Sequence, residues 1–491
     1  MKEKQEEFIR MDIDYFKELF AKSSDVQFTH HLFLAESGRR REVECTIFYS
    51  NVLIDSEKLI GTIMNLENSF IIQIEQERKR NRLPLNDLQL TMVPHTTKQE
   101  EIADKLFSGY VFVLFEQQNS LFSFNLQKIP NRTIEEPNSE VSYRGPRDGL
   151  IEDISTNIGL IRKRYKTSTL VNEGFVIGKR GKTRVSLLYV KDIMNEEIIE
   201  QVREKLQAIN TDVLLGTIEL EEGLVGKKFP LIPLIEYSGR PDYLVSCLNN
   251  GRFVIIVDGA ASAVIGPGNI TFLLQTAEDI HSPFYYANFE MVLRLVGLSI
   301  SIFLPGFYIS LVSFQLEQLP FPFLATIAIS RRGLPLSPSM EAFLVLALFE
   351  LFQEAGITLP KAIGQTLAVV GGIIIGDAAI RGGLTSSTML VVAGVTSVST
   401  YILANHSLAA SVSIMRLWVL LLSAFFGLFG FFLGVFSIIL YISRLQSFGI
   451  PYLAPLSPFF LKDFMKGVFV IPDLLKKKRP SLLRTKDKTK G

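Results

Sequence analysis

Cysteine is nearly missing from this chain. Cys45 and Cys247 are the only two among 491 residues, far apart and without metal-ligand spacing, so neither a disulfide framework nor a zinc site has support. They read as reduced core residues of a domain in a reducing compartment. Histidine is scarce too: there are five, two of them the adjacent His30 and His31. No HExxH, CxxC pair, Ser-His-Asp arrangement or phosphate-cradling P-loop occurs, so neither enzymatic chemistry nor a metal or cofactor is expected. An excess of either charge is also lacking, since 51 basic residues face 50 acidic ones for a net +1. Nucleic acid therefore has no electrostatic reason to bind. The first thirty residues, opening MKEKQEEFIRMDIDYFKELF, hold no apolar run of signal-peptide length, which predicts a cytoplasmic amino terminus.

What the chain does have is apolar surface: 47% of residues are hydrophobic, 21% are charged, and the mean hydropathy is +0.26. The composition shifts near residue 287, beyond which charges become sparse as far as Ser443. This predicts an α/β cytoplasmic domain followed by an α-helical multi-pass membrane domain. Within the first half, ECTIFYSNVLIDSEKLIGTIM from Glu44 and RVSLLYVKDIMNEEIIEQVREKL from Arg184 both read as a strand, a polar break and a helix. SGYVFVLFEQQNSLFSFNL from Ser108 and NGRFVIIVDGAASAVIGPG from Asn250 both read as strand, turn, strand. Two similar modules are expected, 41–135 and 166–285, after an N-terminal helical segment over 1–40 and joined by a linker helix over 136–165. Residues 286–445 form the membrane domain and 446–491 a basic cytoplasmic tail.

Four spans are predicted by length: Met291–Phe314, Ala362–Ile380, Ser386–Leu403 and Ser411–Ser443, the middle two forming a hairpin around Gly382-Gly383. Leu319–Ile329 and Met340–Phe352, broken by prolines and by Glu341, Glu350 and Glu354, read as interfacial or re-entrant. The basic cluster Lys476–Arg479 places both termini in the cytoplasm and suits contact with anionic lipid headgroups.

Three features draw attention. RGPRDG sets Arg144 and Arg147 around a rigid turn near Asp148 and Glu152, and the linker helix carries Arg162 and Arg164; these are candidates for contacts between subunits or modules. GPGNIT at 266–271 reads as a plain strand-to-helix turn, since the P-loop lysine is absent. On the span from Ala362, Gln365, Val369, Gly372 and Gly376 share one helical face of mostly small residues. Such a face serves close helix packing or lines a narrow pore with Val369 or Ile373 as constriction. Asp377 and Arg381 stand one turn apart where that span ends.

EPNSEVSYRGPRDGLIEDISTNIGLIRKR, GRFVIIVDGAASAVIGP, the long block ISRRGLPLSPSMEAFLVLALFELFQEAGITLPKAIGQTLAVVGGIIIGDAAIRGGLTSSTMLVVAGVTSVSTYIL and PYLAPLSP occur in this order. Together they resemble the A subunits of the GerA-type spore germination receptors, over about Thr46 to Asp473. The resemblance implies a protein of the inner membrane of the bacterial spore, working with a transporter-like B subunit and a lipoprotein C subunit in nutrient sensing. It further implies a homo-oligomer, a pentamer, forming a nutrient-gated cation channel, and moves Gln365, Val369, Gly372, Ile373 and Gly376 toward pore lining. Asp377 departs from the uncharged Gln common in the family after this glycine, so Asp377 and Arg381 are expected at a cytoplasmic pore mouth whose charge selectivity differs. A secondary transporter of the nutrient and a non-conducting signalling scaffold are the alternatives.

Overall fold

The computed structural model describes residues 12–35, 41–55, 58–66, 91–127, 142–226, 230–358, 376–403, 405–457 and 479–489. The chain divides into two compact units, an α/β unit (Met1–Phe229, Tyr237–Pro267, Lys477–Gly491) and a helical unit (Pro230–Glu236, Gly268–Lys476).

In the α/β unit the first sheet is built from β1 (Val26–Ala35), β2 (Arg41–Ser50), β3 (Thr91–Val93), β4 (Tyr110–Phe115) and β5 (Ser120–Asn125), with α1 (Ile13–Leu19), helical residues 58–66 and α2 (Gln99–Leu106) around it. Side chains alternate across a strand, so a sheet covered on both faces needs both sets apolar. Cys45, Ile47, Val111 and Val113 meet Leu59 and Leu66 on one face. Phe48, Phe112 and Leu114 meet Phe16, Ile102 and Leu106 on the other. There Phe16, Phe48 and Phe112 stack with centroids 4.8 and 5.1 Å apart.

The second sheet comprises β6 (Leu170–Ile177), β7 (Thr183–Val190), β8 (Glu236–Ser238), β9 (Phe253–Val257) and β10 (Ala263–Gly266), with α3 (Ile154–Arg164), α4 (Glu196–Ala208), α5 (Thr217–Val225) and α6 (Pro241–Asn249). Its order, β6-β7-β9-β10-β8, repeats the β1-β2-β4-β5-β3 order of the first. Each sheet is preceded by a helix capped by an aspartate. Asp12 accepts from Asp14 N at the head of α1, and Asp153 from Thr156 N at the head of α3.

This arrangement corrects two expected boundaries. The segment 1–40 is not helical throughout: among its described residues the short α1 is the one helix, and residues 26–35 form β1, because Val26 and Phe28 alternate with polar neighbours in register with β2. The segment 136–165 is more than a linker, since α3 buries Ile154, Ile158 and Ile161 in the layer of the second sheet. In the tail, Arg479 turns back onto the α/β unit rather than standing free for lipid. Its Nε donates to Asn249 O at 2.9 Å and its Nη1 pairs with Asp487 at 2.7 Å. Hydrogen bonds from the hydroxyl and N–H of Thr489, with this guanidinium, hold the Asp487 carboxyl down at about 2. Lys476, Lys477 and Lys478 lie outside the described residues.

The helical unit contains α7 (Ile270–Leu273), α8 (Phe284–Phe314), α9 (Phe321–Ser330), α10 (Pro338–Thr358), α11 (Ser387–Tyr401) and α12 (His406–Arg444), then a two-residue hairpin of β11 (Gln446–Ser447) and β12 (Ile450–Pro451). Ile309, Ala342, Leu346, Met389, Ala393 and Leu420 form the core where four of these helices meet. Large apolar side chains, among them Phe289, Val292, Val296, Leu421, Phe425 and Phe432, face outward. Among the described residues, α8 and the run Ser407–Arg444 are long and apolar enough to cross a membrane by length and composition.

Three further expectations change. First, Met340–Phe352 is not a broken interfacial stretch. It lies inside α10, a continuous helix of 21 residues and about 31 Å, because Pro338 falls in its first turn, where proline costs no hydrogen bond. Second, α11 has only 15 residues, about 22 Å and short of a full hydrocarbon core. Third, Ser411–Ser443 is not one tilted span: at Gly427 the backbone leaves the helix, at φ 62 and ψ −140. A straight helix would hold Val419 and Gly434 about 22 Å apart. Instead a Cβ on Gly434 would stand 3.3 Å from Val419 Cα, and Trp418 Nε1 donates to Ser437 Oγ at 3.0 Å. α12 is thus a helical hairpin folded at Gly427.

Candidate functional site

The helical unit buries ionisable residues among apolar helices, where each must find a partner to offset lost hydration. The first cluster lies at the start of α8. Arg294, 7% exposed, forks onto Asp279, with Nη1 to Oδ2 at 2.7 Å and Nη2 to Oδ1 at 3.0 Å, and adds Glu290 at 3.1 Å and Leu274 O at 3.2 Å. Asp279 also closes a capping box with Thr276.

The second cluster lies deeper in the unit. Arg416, on the first arm of α12 and 4% exposed, pairs with Glu350 of α10 and donates to Thr400 Oγ1 of α11 at 3.2 Å and to Ser413 Oγ at 3.1 Å. Its Nε has no partner among the described residues. One guanidinium therefore joins three helices.

The third cluster is the most enclosed. Glu341 of α10 has no exposed surface. Its Oε1 accepts from Ser386 N at 2.6 Å, Ser386 Oγ at 2.5 Å and Thr385 Oγ1 at 3.0 Å, while Oε2 takes Arg331 Nη1 at 2.6 Å. Ser386 is the N-cap of α11, so the carboxylate sits at the positive end of that helix. A belt of hydroxyls surrounds it: Thr388 Oγ1 lies 2.9 Å from Tyr308 Oη and 3.1 Å from Ser330 Oγ. Glu341 and Glu350 are nine residues apart, on opposite faces of α10 at 100° per residue. α10 is gripped from two sides.

The predicted site residues distribute unevenly. Gln365, Val369, Gly372 and Ile373 lie outside the described residues, while Gly376 is buried in the helical run 376–381, where a Cβ added to it would stand 3.4 Å from Leu390 Cδ2 of α11. Asp377 and Arg381 pair at 2.8 Å and are 57% and 79% exposed at the side chain. Their position along the unit differs from the expected one. The turn 382–385 meets Glu341 through Thr385 and Ser386, and α11 starts beside Tyr308, which lies in the last third of α8. The pair therefore sits at the end of the unit where α8 finishes, not where it begins, because α10 is an extra long helix that returns the chain before residue 376.

In the α/β unit Arg162 lies between the two sheets and is fully buried. Its Nε and Nη2 donate to Asp25 Oδ2 and Oδ1 at 3.2 and 3.1 Å, and its guanidinium stands 3.9 Å over the Phe107 ring. Asn172 Nδ2 also donates to Asp25 Oδ1 at 3.3 Å. Arg164 pairs with Asp148 at 2.5 Å, whereas Arg144, Arg147 and Glu152 lie on the surface. Sequence reasoning gave no site role to Asp25, Arg294, Arg416 or Glu341, the last named only as a break in an apolar stretch. A lone charge in an apolar run was a usable signal for the two arginines, but Arg162 and Asn172, which bind Asp25, are over a hundred residues away from it.

A family model described as Bacillus/Clostridium GerA spore germination protein matches residues 14–482. The chain is 40% identical over 444 residues to spore germination protein XA of Bacillus anthracis, covering 90% of each. It is 30% identical to spore germination protein KA of Bacillus subtilis (strain 168), covering 92% of this chain and 83% of that one. The crystal structure of the N-terminal domain of the A subunit of the Bacillus megaterium spore germinant receptor GerK3 aligns with a TM-score of 0.39 at 21% identity, over 53% of this chain and 96% of that one. With nearly its whole length matched, the chain belongs to the GerA family of spore germination proteins.

Proposed function

We propose that this protein is the A subunit of a nutrient-responsive germination receptor, and that its helical unit is a multi-pass domain that assembles with further copies, as a pentamer, into a cation channel. It would reside in the spore inner membrane beside a transporter-like B subunit and a lipoprotein C subunit. The repeated strand order of the α/β unit is read as two copies of one module.

The observation that supports the membrane part of this reading is an inverted surface. Outward-facing side chains of α8 and α12 are largely aromatic or aliphatic, while Arg294, Glu341 and Arg416 are inside. That is the pattern of a bilayer solvent. Both α8 and the α12 hairpin contribute to it. Asn405 Nδ2 at the start of α12 reaches Glu236, and Tyr441 Oη near its end accepts from Leu231 N. The two ends of α12 thus meet the same short segment, so its hairpin enters and leaves on one side. The exposed pair Asp377–Arg381 crowns the opposite end of the unit. With both termini cytoplasmic, this crown faces outward and would ring the outer mouth of an oligomeric pore.

The test is ion flux and nutrient uptake measured side by side in vesicles holding the receptor. Nutrient-triggered cation release without uptake is expected, and Asp377→Asn should cut the preference for cations over anions severalfold. Uptake without ion flux would establish a transporter instead.

A further inference from the structure

The turn between β6 and β7, Gly178-Lys-Arg-Gly-Lys182, is fastened to the segment after α4. Lys179 N donates to Thr211 O at 3.0 Å, Arg180 N and Gly181 N to Asp212 O at 2.8 and 3.0 Å, and Thr183 Oγ1 to Leu214 O at 2.9 Å. Glycine permits this approach: Gly178 has φ +96, and a Cβ on Gly181 would fall 2.9 Å from Val213 Cγ1. Two pieces of chain thereby share one surface, and its chemistry is mixed. Leu215 and Ile218 are 77% and 69% exposed, and Val176 and Val213 are exposed as well. Lys179, Arg180 and Lys182 are exposed beside them.

Most of the local acids are engaged, while Glu222, one turn after Ile218 on α5, is exposed. Asp212 lies 3.7 Å from Arg180, Asp258 pairs with Arg184 at 3.1 Å, and Glu219 accepts from Leu215 N at 2.8 Å. Lys179 and Lys182 make no ion pair among the described residues. Apolar side chains that would gain by leaving water, next to cations without partners, match the boundary of an anionic bilayer, which offers acyl chains and phosphates at the same depth. A protein partner would need an acidic rim around an apolar socket of fitting shape, which is a more demanding match. Pro230–Glu236, the first piece of the helical unit, follows Ile218 by only a dozen residues, and Lys227 and Lys228 lie in between.

We propose that this face of the α/β unit, carrying Lys179, Arg180, Lys182, Val213, Leu215 and Ile218, docks on the anionic lipid surface of the membrane. The proposal rests on the membrane reading of the helical unit. Leu215 and Ile218 enter the headgroup region, and the two free lysines set the dependence on lipid charge.

The full chain, reconstituted in vesicles with or without phosphatidylglycerol, provides the test. Leu215→Cys carries an environment-sensitive fluorophore, and Leu32→Cys, 56% exposed on β1, is the control; the native Cys45 and Cys247 are buried and stay unlabelled. The label at 215 should be quenched by spin-labelled lipid in phosphatidylglycerol vesicles and by aqueous iodide in neutral ones. Lys179→Gln with Lys182→Gln should weaken docking about thirtyfold, since each base near such a surface contributes about fivefold. The control should answer to iodide throughout. Iodide quenching at 215 regardless of lipid charge overturns the proposal. So does shielding from both quenchers that rises with protein density, which would assign the face to a second copy. Failure of the chain to float with vesicles would instead overturn the membrane reading, and the proposal with it.

Discussion

The buried pair Arg162–Asp25 shows how much rests on single side chains. Both groups have left water, and beside each other they are satisfied by Ser50 and Asn172 on the carboxylate and by the Thr167 carbonyl and the Phe107 ring on the guanidinium. Removing one partner strands a charge, which costs about 3–5 kcal/mol, whereas replacing both by apolar residues is often near neutral. Arg162→Leu should therefore lower the denaturation midpoint of the α/β unit strongly, and Asp25→Leu with Arg162→Leu should recover most of the loss. Cys45 and Cys247 are built-in reporters for this measurement, one in β2 of the first sheet and one in α6 beside the second, both buried. Burial pushes the Cys45 thiol up to about 12, so it stays protonated and unreactive near neutral pH while the fold holds. Pulsed alkylation of the two thiols across a urea series reads the midpoints. An unchanged midpoint for Arg162→Leu would reduce the pair to a bystander. The position of Arg162 among basic residues of a helix marked it as a contact candidate in sequence. Its partner was not legible, since Asp25 sits 137 positions earlier in a stretch read as helical.

Elements were legible where their periodicity had no competitor. TIFYS and YVFVLF declare strands because both faces of each are apolar. β1 was missed because the charged run before it suggests helix and its alternation lasts few residues. α12 failed for a different reason. Gly427 stands within AFFGLFGFFLG, where glycine normally serves close packing inside a membrane helix. A turn without a polar residue leaves no pattern to find, and only the φ of 62 with ψ of −140 makes the glycine obligatory. The fold-back has a direct consequence. A Cβ on Gly434 would lie 3.5 Å from Val419 Cβ, inside the range that a disulfide spans. Val419→Cys with Gly434→Cys should therefore close an intramolecular disulfide on mild oxidation, seen as loss of both free thiols to maleimide. A continuous helix would keep the two thiols about 22 Å apart and reactive. Persistent free thiols under oxidation would restore the single long span.

At the scale of the molecule, the helical unit is self-sufficient inside and incomplete outside. Among the described residues three buried or half-buried arginines pair within one chain: Arg294 with Asp279, Arg416 with Glu350, Arg331 with Glu341. Copies are not needed to satisfy these charges, and an assembly would form through other surfaces. Asp377 and Arg381 offer one, because they are exposed and, among the described residues, pair with each other alone. In a ring around an axis, each aspartate would be flanked by arginines of the neighbouring copy as well as its own, so exchange of partners costs little. Repetition of the pair around that axis turns a surface ion pair worth about 0–1 kcal/mol into a continuous charged rim. Closed rotational symmetry follows from a heterologous contact only if its rotation closes. On the pentamer proposed above, the detergent-purified full chain, imaged by electron microscopy, should show ring-shaped particles with fivefold symmetry about an axis normal to the membrane belt. Arg381→Glu places like charges side by side in every copy and should break the rings into smaller particles while leaving each protomer folded. Arg381→Glu rings of unchanged symmetry would move the contact elsewhere on the unit, and monomers in the native protein would remove the channel reading altogether.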